Sequence, residues 1–416
     1  MVNVAILGFG VVGSGVAEVL GKNSASIEQK AGEKIVVRKV LDIRDFEENP
    51  YSNLLTNNPD EVFLDDSINI VVETIGGINV AYDFTKRAIN AGKHVVTSNK
   101  ELVATHGPEI LKLAKEKGVN YLFEASVGGG IPIIRPLSQC LAANEISGIT
   151  GILNGTTNYI LSRMKRDLKN FYEALEEAKQ KGYAESDPTS DIEGHDACRK
   201  IAILSSIAFN EYIDYREVYT EGISGVSLID FEYAEHMGAT IKLLATSKKI
   251  DDKIQIRVSP AIISKTHPLY GVEDVFNAIV VKGDAIGEAM FYGKGAGKLP
   301  TASSVVADII EIVKSNESIT DNPWEIKDKD NIIDNKDAVS CFLVRTSIFS
   351  SYEAEKAIIK VFGKVEFVSA IITNLKDELA FITPREREDV LMEKIDMIKA
   401  SGYIKEIKNI VRIEEN

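Results

Sequence analysis

The chain has 416 residues, 44% apolar and 26% charged, with a net charge of −14. That length suits two or three domains, each with its own core. The acidity argues against a nucleic-acid partner, and no apolar run reaches membrane-spanning length. Cys140, Cys198 and Cys341 are too dispersed for a disulfide framework or a zinc pattern. With no basic segment ahead of the first strand, a cytoplasmic protein is expected.

Val2 to Leu7 reads as a short apolar strand. It runs into Gly8-Phe9-Gly10-Val11-Val12-Gly13 and then a helix through Val16, Val19 and Leu20. Between a strand and a helix, G-x-G-x-x-G predicts a dinucleotide site. The glycines permit a tight turn, close approach of a pyrophosphate, and close packing of helix on strand. A second strand, Ile35 to Leu41, ends at Asp42-Ile43-Arg44. Asp42 suits the ribose hydroxyls of NAD; Arg44, or Arg38 with Lys39, suits the 2′-phosphate of NADP. The two signals conflict.

Ile70 to Glu73 and His94 to Thr97 read as further strands, with a helix through Ala88 between them. Strands alternating with helices predict a parallel sheet, with ligands beyond the strands' carboxyl ends. Thr74, Ser98, Asn99 and Lys100 occupy such ends, and Lys100 is the candidate to meet the reacting end of a cofactor. After a strand from Val119 to Phe123 comes Glu124-Ala125-Ser126-Val127-Gly128-Gly129-Gly130-Ile131-Pro132. This is either a hinge or, through Glu124 and exposed carbonyls, a seat for a hard cation.

Residues 140 to 300 read as a second α/β unit, with strands near Ile254 to Val258 and Ala278 to Lys282. A second glycine turn, Gly293 to Gly297, precedes a helix through Val305, Val306 and Ile309 and is placed to close over the cofactor. Gly182 to Lys200 is the most informative stretch. Glu185, Asp187, Asp191 and Asp196 precede Lys200, and an apolar helix through Ile201, Ile203 and Leu204 follows. A helix apolar nearly all round is buried. Asp196 and Lys200, four apart, share one of its faces. Buried charges must pair or bind something, so the segment is an ion-pair network or a site. Residues 317–337 are polar and read as a linker. From Cys341 to Ile413 the order is βαββαβ, the ferredoxin-like motif, read as a separable module.

Gly8 to Gly13, Ser98-Asn99-Lys100, Glu124 to Pro132, Gly151 to Asn158 and above all Gly182 to Lys200 resemble the motifs of homoserine dehydrogenase. The tail is similar to an ACT regulatory domain. The resemblance implies an α/β protein in parts: a Rossmann nucleotide domain (1–130), a substrate and dimerisation domain (131–316) whose final helix returns to the nucleotide domain, the linker, and an ACT-like βαββαβ domain (338–416). It implies reversible reduction of L-aspartate 4-semialdehyde to L-homoserine with NADP(H) or NAD(H), in threonine and methionine biosynthesis. Carried over by position, Lys200 is the proton donor, with Lys100 and Asp196 beside it in the catalytic group. Glu185, Asp191 and Asp196 bind homoserine. Gly8, Phe9, Gly10, Val11, Val12, Gly13, Arg44, Thr74, Ser98, Lys100, Gly182 and Gly297 bind the cofactor. Glu124 with the carbonyls of Val127, Gly129 and Ile131 resembles the family's sodium site. A homodimer or homotetramer and an amino-acid effector such as L-threonine are also implied. Phe349 to Glu353 lacks the Asp and Pro-Gly pair of an ACT ligand loop, so dimer contacts are the tail's other role.

The chemistry of the residues agrees. Reduction of an aldehyde leaves an alkoxide that needs a proton, and a lysine whose pKa is lowered by burial can supply it near neutral pH. The rivals are a nucleotide-sensing regulator without turnover and another dehydrogenase of small amino-acid aldehydes.

Overall fold

The computed structural model describes residues 1–44, 50–315, 319–320, 322–327, 331–369 and 377–414. Strands β1 (Val2–Leu7), β2 (Ile35–Leu41), β3 (Leu55–Thr56), β4 (Ile70–Glu73), β5 (His94–Thr97) and β6 (Tyr121–Leu122) form a parallel sheet in the order β3-β2-β1-β4-β5-β6. Helices α1 (Val11–Lys22), α2 (Asn79–Asn90) and α3 (Lys100–Lys117) connect them. β4 reads Ile-Val-Val-Glu and is buried throughout, as a strand covered on both faces must be. The strand order reverses between β1 and β4. That crevice, where Gly8 and Thr74 end their strands, is where such sheets bind ligands.

The second sheet has ten strands. β7 (Ile146–Ile152), β8 (Tyr219–Thr220), β9 (Ala239–Ile250), β10 (Lys253–Ser264), β11 (Phe276–Gly283) and β12 (Gly287–Lys294) make one half. Helices α4 (Gly155–Asp167) and α5 (His195–Phe209) share a core with it, in which Ile160, Ile201 and Leu204 meet Ile241, Leu243 and Ile279. α6 (Lys298–Lys314) crosses back to the first sheet. Its Ala302, Val305 and Ile309 pack with Val4, Ile6 and Val16.

The tail supplies the other half of that sheet: β13 (Phe342–Ile348), β14 (Glu366–Val368), β15 (Glu378–Ile382) and β16 (Ile404–Glu414). Helices α7 (Ser351–Phe362) and α8 (Glu388–Ala400) cover it with Ile358, Leu391 and Ile395. The second strand expected in the tail, Val365 to Thr373, is described only as Glu366–Val368, and 370–376 lie outside the described residues. The order across the sheet is β12-β11-β7-β9-β10-β16-β13-β15-β14.

The tail is built into the catalytic sheet rather than set apart from it. Arg412, Ile413 and Glu414 of β16 pair in parallel with Ala261, Ile262 and Ile263 of β10. Buried charges cross the same seam. Arg257 reaches Glu388 at 3.3 Å and Glu414 at 3.1 Å, and Arg345 reaches Asp230 at 2.6 Å. The polar stretch before the tail is also anchored where it is described. Trp324 is buried and lies parallel to Tyr212 with ring centroids 6.5 Å apart, and Ile319 donates its N–H to Asn120. Polar composition had hidden that single tryptophan.

Candidate active site

The glycine turn is shaped by exclusion. A Cβ at Gly13 would come within 2.0 Å of the Gly8 carbonyl oxygen, so nothing larger fits the first turn of α1. Gly10 precedes that helix with no side-chain cap, which leaves the first N–H groups for an anion. The Thr74 hydroxyl holds the turn from behind, donating to the carbonyls of Leu7 at 2.9 Å and Gly8 at 2.8 Å. A pyrophosphate cradle fits this geometry. Phe9 is buried and Val11 exposed.

Asp42 and Arg44, read from sequence as alternatives, form one unit. The Asp42 carboxylate accepts the Phe9 N–H at 2.6 Å and pairs with the Arg44 guanidinium at 2.8 Å. The Arg44 contact holds the Asp42 pKa down to about 2, against partial burial. A Cβ on Gly10 would lie 3.8 Å from an Arg44 nitrogen, which puts that guanidinium beside the phosphate cradle.

Beyond the turn lies a cavity of about 640 Å³. Val12, Ser98, Lys100 and Gly297 line it from the nucleotide side; Gly182, Glu185, Asp191, Asp196 and Lys200 line it from the other. Asp196 and Lys200 share a face of α5, as the spacing predicts, at 2.8 Å. The second Asp196 oxygen pairs with Lys100 from α3, also at 2.8 Å. Lys200 donates further to the Leu153 carbonyl at 2.8 Å. Burial pushes the Asp196 carboxyl up, but the Lys200 and Lys100 ammonium groups outweigh it and hold it well below the usual carboxylate range. The same pairing raises Lys100 above its ordinary value despite burial.

The structure separates the four acids. Asp191 is half-buried and its pKa is raised, chiefly by burial. Glu185 is exposed at the cavity rim. Asp187 points away and accepts the Thr189 hydroxyl at 2.6 Å. Cys198 is a buried thiol donating to the Tyr215 carbonyl at 3.1 Å.

Sequence reading gave Asn154 no role. Its amide nitrogen donates to Asp191 at 2.7 Å and Asp196 at 2.9 Å, while its oxygen caps α4 by accepting the Thr157 N–H. An Asn just before a helix was a visible cap signal; the two carboxylates it joins come from a segment distant in sequence, Asp196 from the first turn of α5.

Val127 and Gly129 line the cavity, but Glu124 and Ile131 lie behind its wall. The Glu124 carboxylate accepts the N–H groups of Ile133 at 2.6 Å and of Ile134 and Arg135 at 2.8 Å, so it anchors the chain after the triple glycine. The Gly129 carbonyl takes the Ser304 hydroxyl at 2.6 Å. Among the described residues no cluster of three or more His, Cys, Asp or Glu forms a metal centre. No helix among them is long and apolar enough to cross a membrane.

Comparison with known proteins bears on both halves. The family model described as "Homoserine dehydrogenase, NAD binding domain" matches residues 8–124, and "Homoserine dehydrogenase" matches residues 132–310. The homoserine dehydrogenase of Bacillus subtilis (strain 168) is 36% identical over 438 residues, covering 100% of this chain and 99% of that one. The crystal structure of a homoserine dehydrogenase from Thiobacillus denitrificans superposes with a TM-score of 0.90 at 35% identity, covering 100% of this chain and 98% of that one. A hyperthermophilic archaeal homoserine dehydrogenase in complex with NADPH matches 76% of this chain and 99% of its own, with a TM-score of 0.65 at 31% identity. Identity of this order along the full length means that the chain belongs to the homoserine dehydrogenase family, NAD(P)-dependent oxidoreductases that act on a CH–OH group in amino-acid biosynthesis.

Proposed function

We propose that L-aspartate 4-semialdehyde and L-homoserine are interconverted in this cavity with Lys200 as proton donor and acceptor. The observation that carries the reading is the Asp196 carboxylate clamped between Lys100 and Lys200, 2.8 Å from each. An ammonium has three N–H donors. Asp196 and Leu153 take two of those on Lys200, and the third is left for the reacting oxygen. The bound nicotinamide nucleotide supplies or takes the hydride. In reduction, Lys200 gives its proton to the oxygen that becomes the hydroxyl, and Asp196 keeps the amine in place. Lys100 offers a fixed positive charge to cofactor or substrate. Glu185, Asp191 and Asp196 gather around the substrate ammonium.

The test is consumption of reduced nucleotide, followed by its absorbance, on adding L-aspartate 4-semialdehyde. A chain that bound NADPH without consuming it would be the nucleotide sensor instead. Glu185→Gln refines the reading. A charged hydrogen bond is worth about 1.5–3 kcal/mol, and exposure brings this one to the low end, so the homoserine KM rises about tenfold. NADPH affinity holds. An unchanged KM removes Glu185 from the substrate site.

Arg44 supports a preference for NADP(H). Arg44→Ala weakens NADP(H) about tenfold, through loss of a charge-assisted phosphate contact. NAD(H) is spared because the ribose hydroxyls lie with Asp42. Titrating both nucleotides decides it; equal losses mean that Arg44 merely buttresses the turn.

The reading also takes in a sodium ion held by Glu124 and the carbonyls of Val127, Gly129 and Ile131, an all-oxygen set suited to a hard cation. It takes in a homodimer or homotetramer, an L-threonine effector at the tail, and cytoplasmic placement, which three free cysteines support.

A further inference from the structure

Glu73 ends β4 without lining the cavity, and it is fully buried. An apolar side chain would fill a strand end at less cost, because a buried carboxyl must be matched by hydrogen bonds. Here the bonds lead somewhere. One Glu73 oxygen accepts the Ile75 N–H at 2.6 Å, and the other accepts the Thr97 hydroxyl at 2.5 Å. Thr97 in turn accepts the Asn99 N–H at 2.9 Å. Asn99 donates to the carbonyls of Ile75 at 3.1 Å and Gly77 at 2.7 Å, and its own oxygen accepts the Leu102 N–H at 3.0 Å, capping α3. The first residue of α3 is Lys100. At the other end, Thr74 and Ile75 press on the cofactor turn: a Cβ at Gly8 would come within 2.8 Å of the Thr74 carbonyl oxygen.

We propose that Glu73 and Thr97 are positioning residues of the family's reaction, a buried carboxyl–hydroxyl relay that sets the distance between the glycine turn and the Lys100 ammonium. The inference rests on the reading of Lys100 as a site residue. Lys100 is the one group of the ammonium–carboxylate cluster carried by the nucleotide sheet; Asp196 and Lys200 both come from α5. Without the relay, the helix start bearing Lys100 is free to shift against the cofactor cradle. Misplacement by about 1 Å costs on the order of 10²-fold in rate.

A double-mutant cycle on the full-length enzyme tests this. Thr97→Val keeps the shape and removes the hydroxyl. It lowers kcat about tenfold to a hundredfold while NADPH affinity, read from nucleotide fluorescence, holds. Thr97→Ser restores kcat. In a Lys100→Ala background Thr97→Val costs nothing more, because the two act through one group. If Thr97→Val does not fold, Glu73→Gln runs the same cycle, since it keeps an acceptor for Ile75 but turns a donor toward Thr97. Losses that multiply, together with a lowered melting temperature, reduce the relay to a structural tie and overturn the proposal. So does wild-type kcat in Thr97→Val beside a crippled Lys100→Ala. Near-normal turnover in Lys100→Ala removes the underlying reading of that lysine and the relay with it.

Discussion

Lys200→Ala loses turnover by a factor on the order of 10²–10⁴, the range for removal of a general acid. The fold and the nucleotide cradle survive. Breaking a buried ion pair is usually severe because it strands a charge. Here the Asp196 carboxylate keeps Lys100 at 2.8 Å and the Asn154 amide at 2.9 Å, so it is not stranded. The loss therefore falls on kcat, while NADPH affinity measured on the same preparation stays within about threefold, because no cradle contact is touched. Turnover near the wild-type rate would make Lys200 a structural partner of Asp196 and nothing more. Asp196→Asn behaves differently. It leaves two buried ammonium groups facing a neutral amide, so it impairs stability along with rate.

What the sequence disclosed about this site was what lies close along the chain. The glycine turn was legible because its meaning is carried within six residues and their flanking strand and helix. The Asp196–Lys200 pair was legible because i,i+4 spacing fixes a helix face before any tertiary contact exists. Lys100 could be put at a strand end but not against Asp196, since that contact joins α3 to α5 across two sheets. Asn154 was out of reach for the same reason, and the Glu73–Thr97 pair because it depends on the register of β4 against β5. The acidic loop delivers three of its four acids to the cavity, and the turn at Asp187 and Thr189 sends the fourth outward. β10 runs further than the strand expected near Ile254 to Val258, through a proline that cannot serve a central ladder. The strand continues to Ser264 since β8 pairs at Arg257 and Val258 and β16 at Ala261 to Ile263, leaving the proline in the gap between those partners.

That pairing of β16 with β10 decides how the tail behaves, and Glu388 is the place to test it. Its carboxylate is buried and accepts from Arg412 at 2.8 Å and 3.0 Å, from the Ser340 hydroxyl at 2.7 Å and from Asn335 at 2.7 Å, with Arg257 of β10 at 3.3 Å. Glu388→Ala leaves Arg257 with Glu414 and Arg412 with Glu221, and destabilises the protein by about 1.5–3 kcal/mol, the worth of charged hydrogen bonds. A tail that folds on its own would lose this within itself and melt first, in a separate step. A tail built into the catalytic sheet gives one transition, shifted as a whole, because Arg257 belongs to the catalytic half and Arg412 to the tail. The edge of β10 beyond Pro260 is closed by the tail. The pH dependence has a definite sign. Burial pushes the Glu388 pKa up, but Arg412 and its other partners outweigh this and hold it below the ordinary value. Its stabilisation is therefore complete above the ordinary glutamate pKa of 4.5 and is lost as pH falls through the lower folded-state value. Denaturation of wild type and Glu388→Ala followed from neutral pH down through that window should show the gap between them closing. A gap that stays constant would mean that the Glu388 carboxylate carries no such stabilisation, and a variant that melts in two steps with the catalytic half unmoved would mean that the tail is a separate module after all.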